Sequence, residues 1–389
     1  MVDICIIGGG AAGMIAAVAA KESNPSVKVA IIEKKSSLGK KLLATGNGKC
    51  NISNINCIGH GQVLDFFSNI GIETRTDSEG RIYPYTEEAR VVVDSLVNSL
   101  KKYGVEVIDN KAVTEIEKTE NNNFVVKMEK FQLEAKKVLI ATGGKAAPEF
   151  GTSGDGYKWA RAFGHNITKL MPILTGVETE ENFEKFAGNR IKGLVSLYYK
   201  GEIVFQEAGE IQFTKVGLSG ICIFNLSRFL VIPDGKSFED GFEDYRISID
   251  FYTGEYDELV EILRKRVTND NLGREDILHC IVRKPFAEDI LHRAEIKDNK
   301  AKEQDIPRIA TLVKNWTVGV KRVKGWKFAQ ATKGGIELSE INTDTMESRL
   351  CRGLYFAGEI IDFDGPCGGY NLENAWETGI KAGRAMADV

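Results

Sequence analysis

Six residues near the amino terminus, Gly8-Gly9-Gly10-Ala11-Ala12-Gly13, place glycines in the spacing G-x-G-x-x-G. The chemistry available to that spacing is the grip of a pyrophosphate by bare backbone. Gly8 permits a tight turn, Gly10 lets the main chain approach the phosphates, and Gly13 lets a following helix pack close to the preceding strand. The free amides and positive dipole end of that helix would face the anion, with Ala12 in its first turn. Glu33, further on, is an acid suited to accepting hydrogen bonds from ribose hydroxyls, and Lys34 follows it. A second glycine-rich stretch, Ala44-Thr45-Gly46-Asn47-Gly48-Lys49-Cys50-Asn51-Ile52-Ser53-Asn54, looks like a nucleoside-triphosphate loop. The pattern G-x-x-x-x-G-K-[ST] fails at two places. Leu43 stands where the first glycine belongs, and Cys50 where a hydroxyl must hold Mg²⁺. A thiol is a poor ligand for a hard cation that prefers oxygen, so triphosphate hydrolysis is not expected here.

The elements that must position these residues are legible around them. Val2 to Ile7 is an apolar run suited to a buried parallel strand. MIAAVAAKES after Gly13 has helical character, and Val27 to Ile32 forms a second strand that ends at Glu33. One βαβ unit does not separate NAD from FAD, because both carry ADP. Two later strands do. Lys137 to Ile140 leads into Ala141-Thr142-Gly143-Gly144, and Gly353 to Phe356 leads into Ala357-Gly358-Glu359. A late strand followed by Gly-acid is the arrangement by which two-domain flavoenzymes return to the ribityl chain. The nucleotide domain is therefore expected to be discontinuous, α/β and Rossmann-like, over 1–168 and 325–389.

Between its halves the pattern changes. GLVSLYYK, GEIVFQEAGEIQFT and YRISIDFY alternate as short strands do, which predicts an inserted β-barrel-like substrate domain over 169–254 and 315–324. DELVEILRKRV and AEDILHRAEI have helical periods and predict a helical subdomain over 255–314. The insertion is expected to frame a substrate chamber, since pockets favour domain boundaries.

Composition limits the function classes. The chain has 389 residues, 43% of them hydrophobic, enough for more than one core. A net charge of −4 argues against nucleic acid as the main partner. The Lys- and Arg-rich run from Lys297 to Lys327 reads as a solvated helical face. Seven cysteines without a C-x-x-C pair suit neither a disulfide scaffold nor a zinc ribbon, and fit a reducing cytoplasm. His60, His165, His279 and His292 show no metal-ligand spacing, so no metal is expected. No apolar run of about 18 residues is free of glycine breaks, so no membrane insertion is expected.

Taken together, IIGGGAAG, GKKLLATGNGKCNISN, GRIYP, IATGG, TSGDGYKWARAFGH, GEIQFTKVGLSG and the long final segment from Lys333 to Gly379 resemble the HI0933-like flavoproteins, also called aminoacetone oxidase-like or BaiN-type. The likeness runs in order along the whole chain. It implies noncovalent FAD on a glutathione-reductase-like fold. It also implies that Gly8, Gly10, Gly13 and Glu33 hold the ADP half. Lys41 and the loop Thr45, Gly46, Asn47, Gly48, Lys49, Cys50 and Asn51 would pass along the diphosphate, ribityl or flavin. The strand containing Val113 would lie against the adenine, and Glu359 would touch the ribityl chain. Gly369, Tyr370, Asn371 and Leu372 would lie beside the flavin ring, with Asn371 as N-cap of the last helix. Lys215 stands where the family usually has His, and Ile221 where it usually has Pro. A lysine there acts as a base only if burial lowers its pKa; otherwise it binds an anion or serves the loop. Cys50 and Cys367 fall in the two flavin loops, where a redox disulfide and simple packing are the alternatives.

The function expected from all this is an FAD-dependent oxidoreductase moving hydride between the flavin and a small organic substrate. Its other electron partner would be transient NAD(P)H, oxygen or a quinone, because no second G-x-G-x-x-G unit is present. The alternatives are a peroxide-forming amine oxidase and, outside catalysis of this kind, a flavin redox sensor or tRNA-associated flavoprotein. The oligomeric state is not legible.

Overall fold

The computed structural model describes residues 1–297 and 300–388. Asp298 and Asn299, inside the basic run, and Val389 lie outside the described residues. Two compact units appear, one of 1–172 with 329–389 and one of 173–328. The expected divisions stood at 168/169 and 324/325.

In the first unit, a nine-stranded sheet carries a parallel centre in the order 106–108, 29–32, 2–7, 132–140, 354–356. The central strands are near-continuous apolar runs buried on both faces, with Ile4, Cys5, Ile6, Ala30, Ile31, Val138 and Leu139 fully buried. An antiparallel ribbon of 113–118 and 124–128 branches from strand 132–140. Register decides where function sits. Ile7 pairs with both Ile32 and Ile140, and Phe356 with Ile140, so these strands end level. The residues that follow them, Gly8, Glu33, Ala141 and Ala357, emerge together at the carboxyl edge, where open α/β sheets bind ligands.

The first and last segments of the chain are joined by helix packing. Ala11–Ser23 lies against Tyr370–Met386. A Cβ on Gly379 would stand 2.6 Å from the Ala12 carbonyl oxygen, and one on Gly383 2.3 Å from that of Ala16. Backbone meets backbone there, and neither side can yield. Gly383→Ala is therefore expected to destabilise the first unit by about 1–3 kcal/mol. A urea titration should show a lower midpoint with an unchanged slope.

The second unit is a closed barrel in the order 177–179, 217–219, 202–214, 190–199, 245–250, 316–323. Strand Trp316–Val323 closes it against both Tyr245–Asp250 and Val177–Thr179. The helices Tyr256–Val267, Lys284–Arg293 and Ile306–Lys314 do not separate from it as an independent body. Phe286 of the second helix explains why. Its ring stacks on Phe186 at 4.9 Å, 3° from parallel, and meets Phe213 and Trp316. Barrel and helices thus share one aromatic core.

The basic run is not one helical face. It passes through helix Ile306–Lys314 and strand Trp316–Val323. Several of its cations are paired: Lys300 with Asp270, Arg308 with Glu295, Lys314 with Asp250 and Arg322 with Glu178. No described helix is long and apolar enough to cross a membrane, and no described cluster of His, Cys, Asp and Glu could hold a metal ion.

Candidate functional site

A cleft opens at the carboxyl edge of the sheet, enclosing about 1340 Å³ with open solvent included. All its lining residues belong to the first unit. Gly8, Gly10 and Ala12 form its floor at the start of helix Ala11–Ser23. A Cβ on Gly10 would meet nothing within 4 Å, so the main chain there faces open space. Gly13 does not line the cleft. A Cβ on it would stand 2.0 Å from the Gly8 carbonyl oxygen, which makes it the packing glycine of the turn.

Glu33 lines the cleft with one carboxylate oxygen accepting from the Gly9 amide and the other from Lys35, both at 2.8 Å. Each oxygen keeps a further lone pair for a ligand hydroxyl. Lys34 also lines it, its Nζ donating to Ser153 Oγ at 2.6 Å and pairing with Asp155. Val113 lines the wall, as do Ala141, Thr142 and Gly143. Gly144 stands behind them because a Cβ there would meet Thr332 Oγ1 at 2.4 Å. Thr142 Oγ1 is buried and has no hydrogen-bond partner among the described residues.

The acid and the lysine assigned to the cofactor meet each other. Lys41 Nζ lies 2.6 Å from Glu359, and both line the cleft half-buried. The second Glu359 oxygen accepts from the Thr332 amide at 2.9 Å, while Thr332 Oγ1 accepts from the amides of Lys145 and Ala146. Four distant segments are tied by this one network. Thr332 carried no motif and was missed in the sequence, as were Trp159, Gln330 and Ala331 of the lining. Only Trp159 had a signal, since it falls inside TSGDGYKWARAFGH.

The second glycine loop reaches this cleft at its first residue and braces the last helix with the rest. Thr45 lines the cleft, but Gly46, Asn47, Gly48, Lys49, Cys50 and Asn51 do not. Lys49 pairs at 2.6 Å with Glu87, away from the lining residues. A neighbouring carboxylate balances its charge. Cys50 is fully buried, and burial pushes its thiol up to about 12, so it is protonated and inert near neutrality. No disulfide joins it to Cys367. Asn51 turns its amide to Gly369, accepting from that backbone N–H at 3.1 Å and donating to Ser53. Asn54 donates to the Gly368 carbonyl at 3.1 Å, and Trp376 Nε1 donates to that of Ile52. The loop is thus a brace for the start of the last helix. Lys49→Ala should leave stability and cofactor retention nearly unchanged, because its ion pair is exposed. Loss of the bound cofactor in that variant would restore the charge to the site.

That helix begins differently from expectation. Gly369, with φ 105°, occupies the N-cap position. Asn371 lies inside the first turn, its side-chain amide exchanging two 2.9 Å hydrogen bonds with the Gly365 backbone. Asn371 and Leu372 line the cleft, whereas Gly369 and Tyr370 do not. Lys215 lies in the second unit, exposed at the turn between strands Glu202–Thr214 and Gly217–Ser219. The burial that a lysine base needs is not supplied by its own unit.

Residues 2–60 and 58–385 match the family model described as the HI0933-like protein Rossmann domain. The chain belongs to the HI0933-like family. Within reach of this family, the chain is 32% identical to a 3-dehydro-bile acid delta(4,6)-reductase of Clostridium scindens, over 99% of both chains. It is 26% identical to a ribosomal RNA dihydrouridine synthase of Escherichia coli, over 97% of this chain and 96% of that one. In fold it is similar to the solved E. coli quinol fumarate reductase, with a TM-score of 0.50 and 15% identity, covering 100% of this chain and 70% of the other. The cleft fits the dinucleotide that membership of the HI0933-like family implies: an unobstructed Gly10 at a helix start and an acid after the second strand with lone pairs to spare. The chain is an FAD-dependent oxidoreductase of this family, moving hydride between the flavin and an organic substrate.

Proposed function

We propose that the enzyme is a reductase whose flavin is charged by transiently bound NAD(P)H and whose substrate is a small, unsaturated carbonyl compound. The observation that carries this reading is the end-to-end similarity to a 3-dehydro-bile acid delta(4,6)-reductase. A name of that form points to carbon–carbon double bonds conjugated to a ketone. When bound, FAD supplies a two-electron carrier that accepts hydride from one partner and delivers it to the other.

The residues of the chain provide the rest. The amides at the start of helix Ala11–Ser23 would hold the pyrophosphate, and Glu33 the adenosine ribose. The Lys41–Glu359 pair would fix the path of the ribityl chain. The start of helix Tyr370–Met386 would place partial positive charge where the reduced flavin carries negative charge. Lys215 and Tyr370 are secondary candidates for contact with substrate. NAD(P)H would have no dedicated domain, since the sequence holds one dinucleotide fingerprint. A cytoplasmic setting belongs to this reading, supported by the odd cysteine count and the burial of most thiols.

A second reading has its own support in the similarity to a ribosomal RNA dihydrouridine synthase. The net charge of −4 and the pairing of the basic run weigh against a polyanionic substrate. One experiment separates the readings. Anaerobic protein should be bleached by NADH or NADPH and recover its colour on adding an enone. Recovery with ribosomal RNA and not with any enone would favour the second reading. Bleaching by amines, with fast reoxidation by oxygen, would replace both with an amine oxidase.

A further inference from the structure

Glu373 is the one charged residue type in the first turns of the last helix whose side chain has no satisfied oxygen. It is 3% exposed, and neither carboxylate oxygen has a hydrogen-bond partner among the described residues. Its neighbours in sequence, Leu372 and Asn374, both line the cofactor cleft, while Glu373 itself does not. The groups that bear on it come from each element packed there. Ser53 and Cys57 come from the 53–57 segment, and the Ser53 hydroxyl faces it without reaching hydrogen-bond geometry. His60 comes from helix His60–Asn69, and Glu377 lies one turn beyond Glu373 on helix Tyr370–Met386. Glu377 is itself paired with Lys381. Phe67 and Trp376 close the same region with an edge-to-face contact at 5.0 Å.

Two effects compete at this position. A carboxylate near a helix start gains a modest stabilisation from the dipole. Burying a charged carboxylate without donors costs considerably more, and a proton removes that cost. Burial wins, and it raises the Glu373 pKa, with Glu377 adding in the same direction against smaller opposing effects of Ser53 and His60. Neutrality has a consequence at the cleft. An ionised Glu373 would place negative charge just behind the helix start that faces the cofactor and would oppose the negative charge of a reduced flavin there.

We propose that Glu373 is carried as a neutral carboxylic acid behind the cleft-facing start of helix Tyr370–Met386, where its neutrality preserves the helix's preference for the reduced flavin. It is a positioning residue that acts through the helix and does not touch the cofactor. The inference rests on the FAD reading above, and one arm of its test does not need flavin.

The sign of the linkage is definite. A carboxyl with a raised folded-state pKa contributes stability that is fully present below its unfolded pKa. That contribution is lost as pH rises through the folded value. Infrared spectra of wild type and Glu373→Gln should differ by a protonated-carboxyl band that is present at pH 7 in the wild type and missing in the variant. In the FAD-loaded proteins, midpoint potentials of the two should coincide at every pH where that band persists. Where rising pH removes it, the wild-type potential should fall below that of the variant. Glu373→Met provides the same comparison if Glu373→Gln does not fold. Absence of the band at pH 7 overturns the proposal. So does separation of the potentials while the band is present, or their coincidence after it is lost. A wild-type protein that binds no flavin would instead overturn the FAD reading and leave the infrared result standing.

Discussion

Gly10→Val is expected to give a folded protein that has lost its flavin. The expectation rests on the contrast between two glycines of one motif. A Cβ at Gly10 meets nothing within 4 Å, and the residue's φ of −83° suits any amino acid. Valine there should therefore leave the sheet and helix intact. Its branched side chain would occupy the space that a pyrophosphate needs, and FAD affinity should fall by more than about 100-fold, which is about 2.7 kcal/mol. Absorbance of the purified variant and released FAD after acid treatment measure the loss. Far-ultraviolet dichroism measures the fold. A Cβ at Gly13 would collide with the Gly8 carbonyl oxygen at 2.0 Å, so Gly13→Val should fail by unfolding instead. Wild-type flavin content in Gly10→Val would remove the cleft from consideration as the cofactor site.

Gly369→Ala carries the second large effect. Two penalties act at once. Its φ of 105° lies in a region that costs an L-residue about 1–3 kcal/mol, and the added Cβ would stand 2.4 Å from the Ser53 carbonyl oxygen. Forcing that contact adds about 1–3 kcal/mol, because backbone cannot swing aside as a side chain would. The sum predicts a fall in melting temperature of roughly 5–15 °C for a unit of this size. Gly368→Ala isolates the first penalty. Its φ is 118°, but its nearest Cβ neighbour would be Asn54 Nδ2 at 3.6 Å, an ordinary contact. Equal losses in the two variants would mean that Ser53 does not brace the helix start. Flavin retention should fall with Gly369→Ala, because Leu372 and Asn371 of the same first turn line the cleft.

Much of the cofactor half was legible because its signals are local. The turn at Gly8, the packing at Gly13 and the acid at Glu33 act within one strand–helix–strand unit, where sequence spacing equals spatial arrangement. The barrel strands were legible through their alternation, including the late strand that closes the barrel after the helical excursion. The loop Thr45–Asn51 was only partly legible, because its glycines and lysine have the composition of an anion loop. Composition does not say what stands opposite. Glu87 neutralises Lys49, and Ser53, Ile82 and Gly369 occupy Asn51. Asn371 was misread as a cap because it is a good capping type near a helix start. Gly369 takes the position through its left-handed backbone, and the Asn371 amide is used by Gly365, six residues earlier.

The sequence by itself determined the class of the fold, the flavin cofactor and the sheet edge from which the glycine turn and the acid emerge, because glycine spacing and strand periodicity are constraints on neighbouring residues. Only the tertiary structure decided which residues face the cleft and which hold it open. It set Lys41 against Glu359, made Thr332 the knot between four segments, and turned Glu373 inward without a partner. Each of these joins residues distant in the chain or depends on what a side chain is buried among. Charge, exposure and hydrogen-bond satisfaction belong to surroundings that the order of residues alone does not reveal.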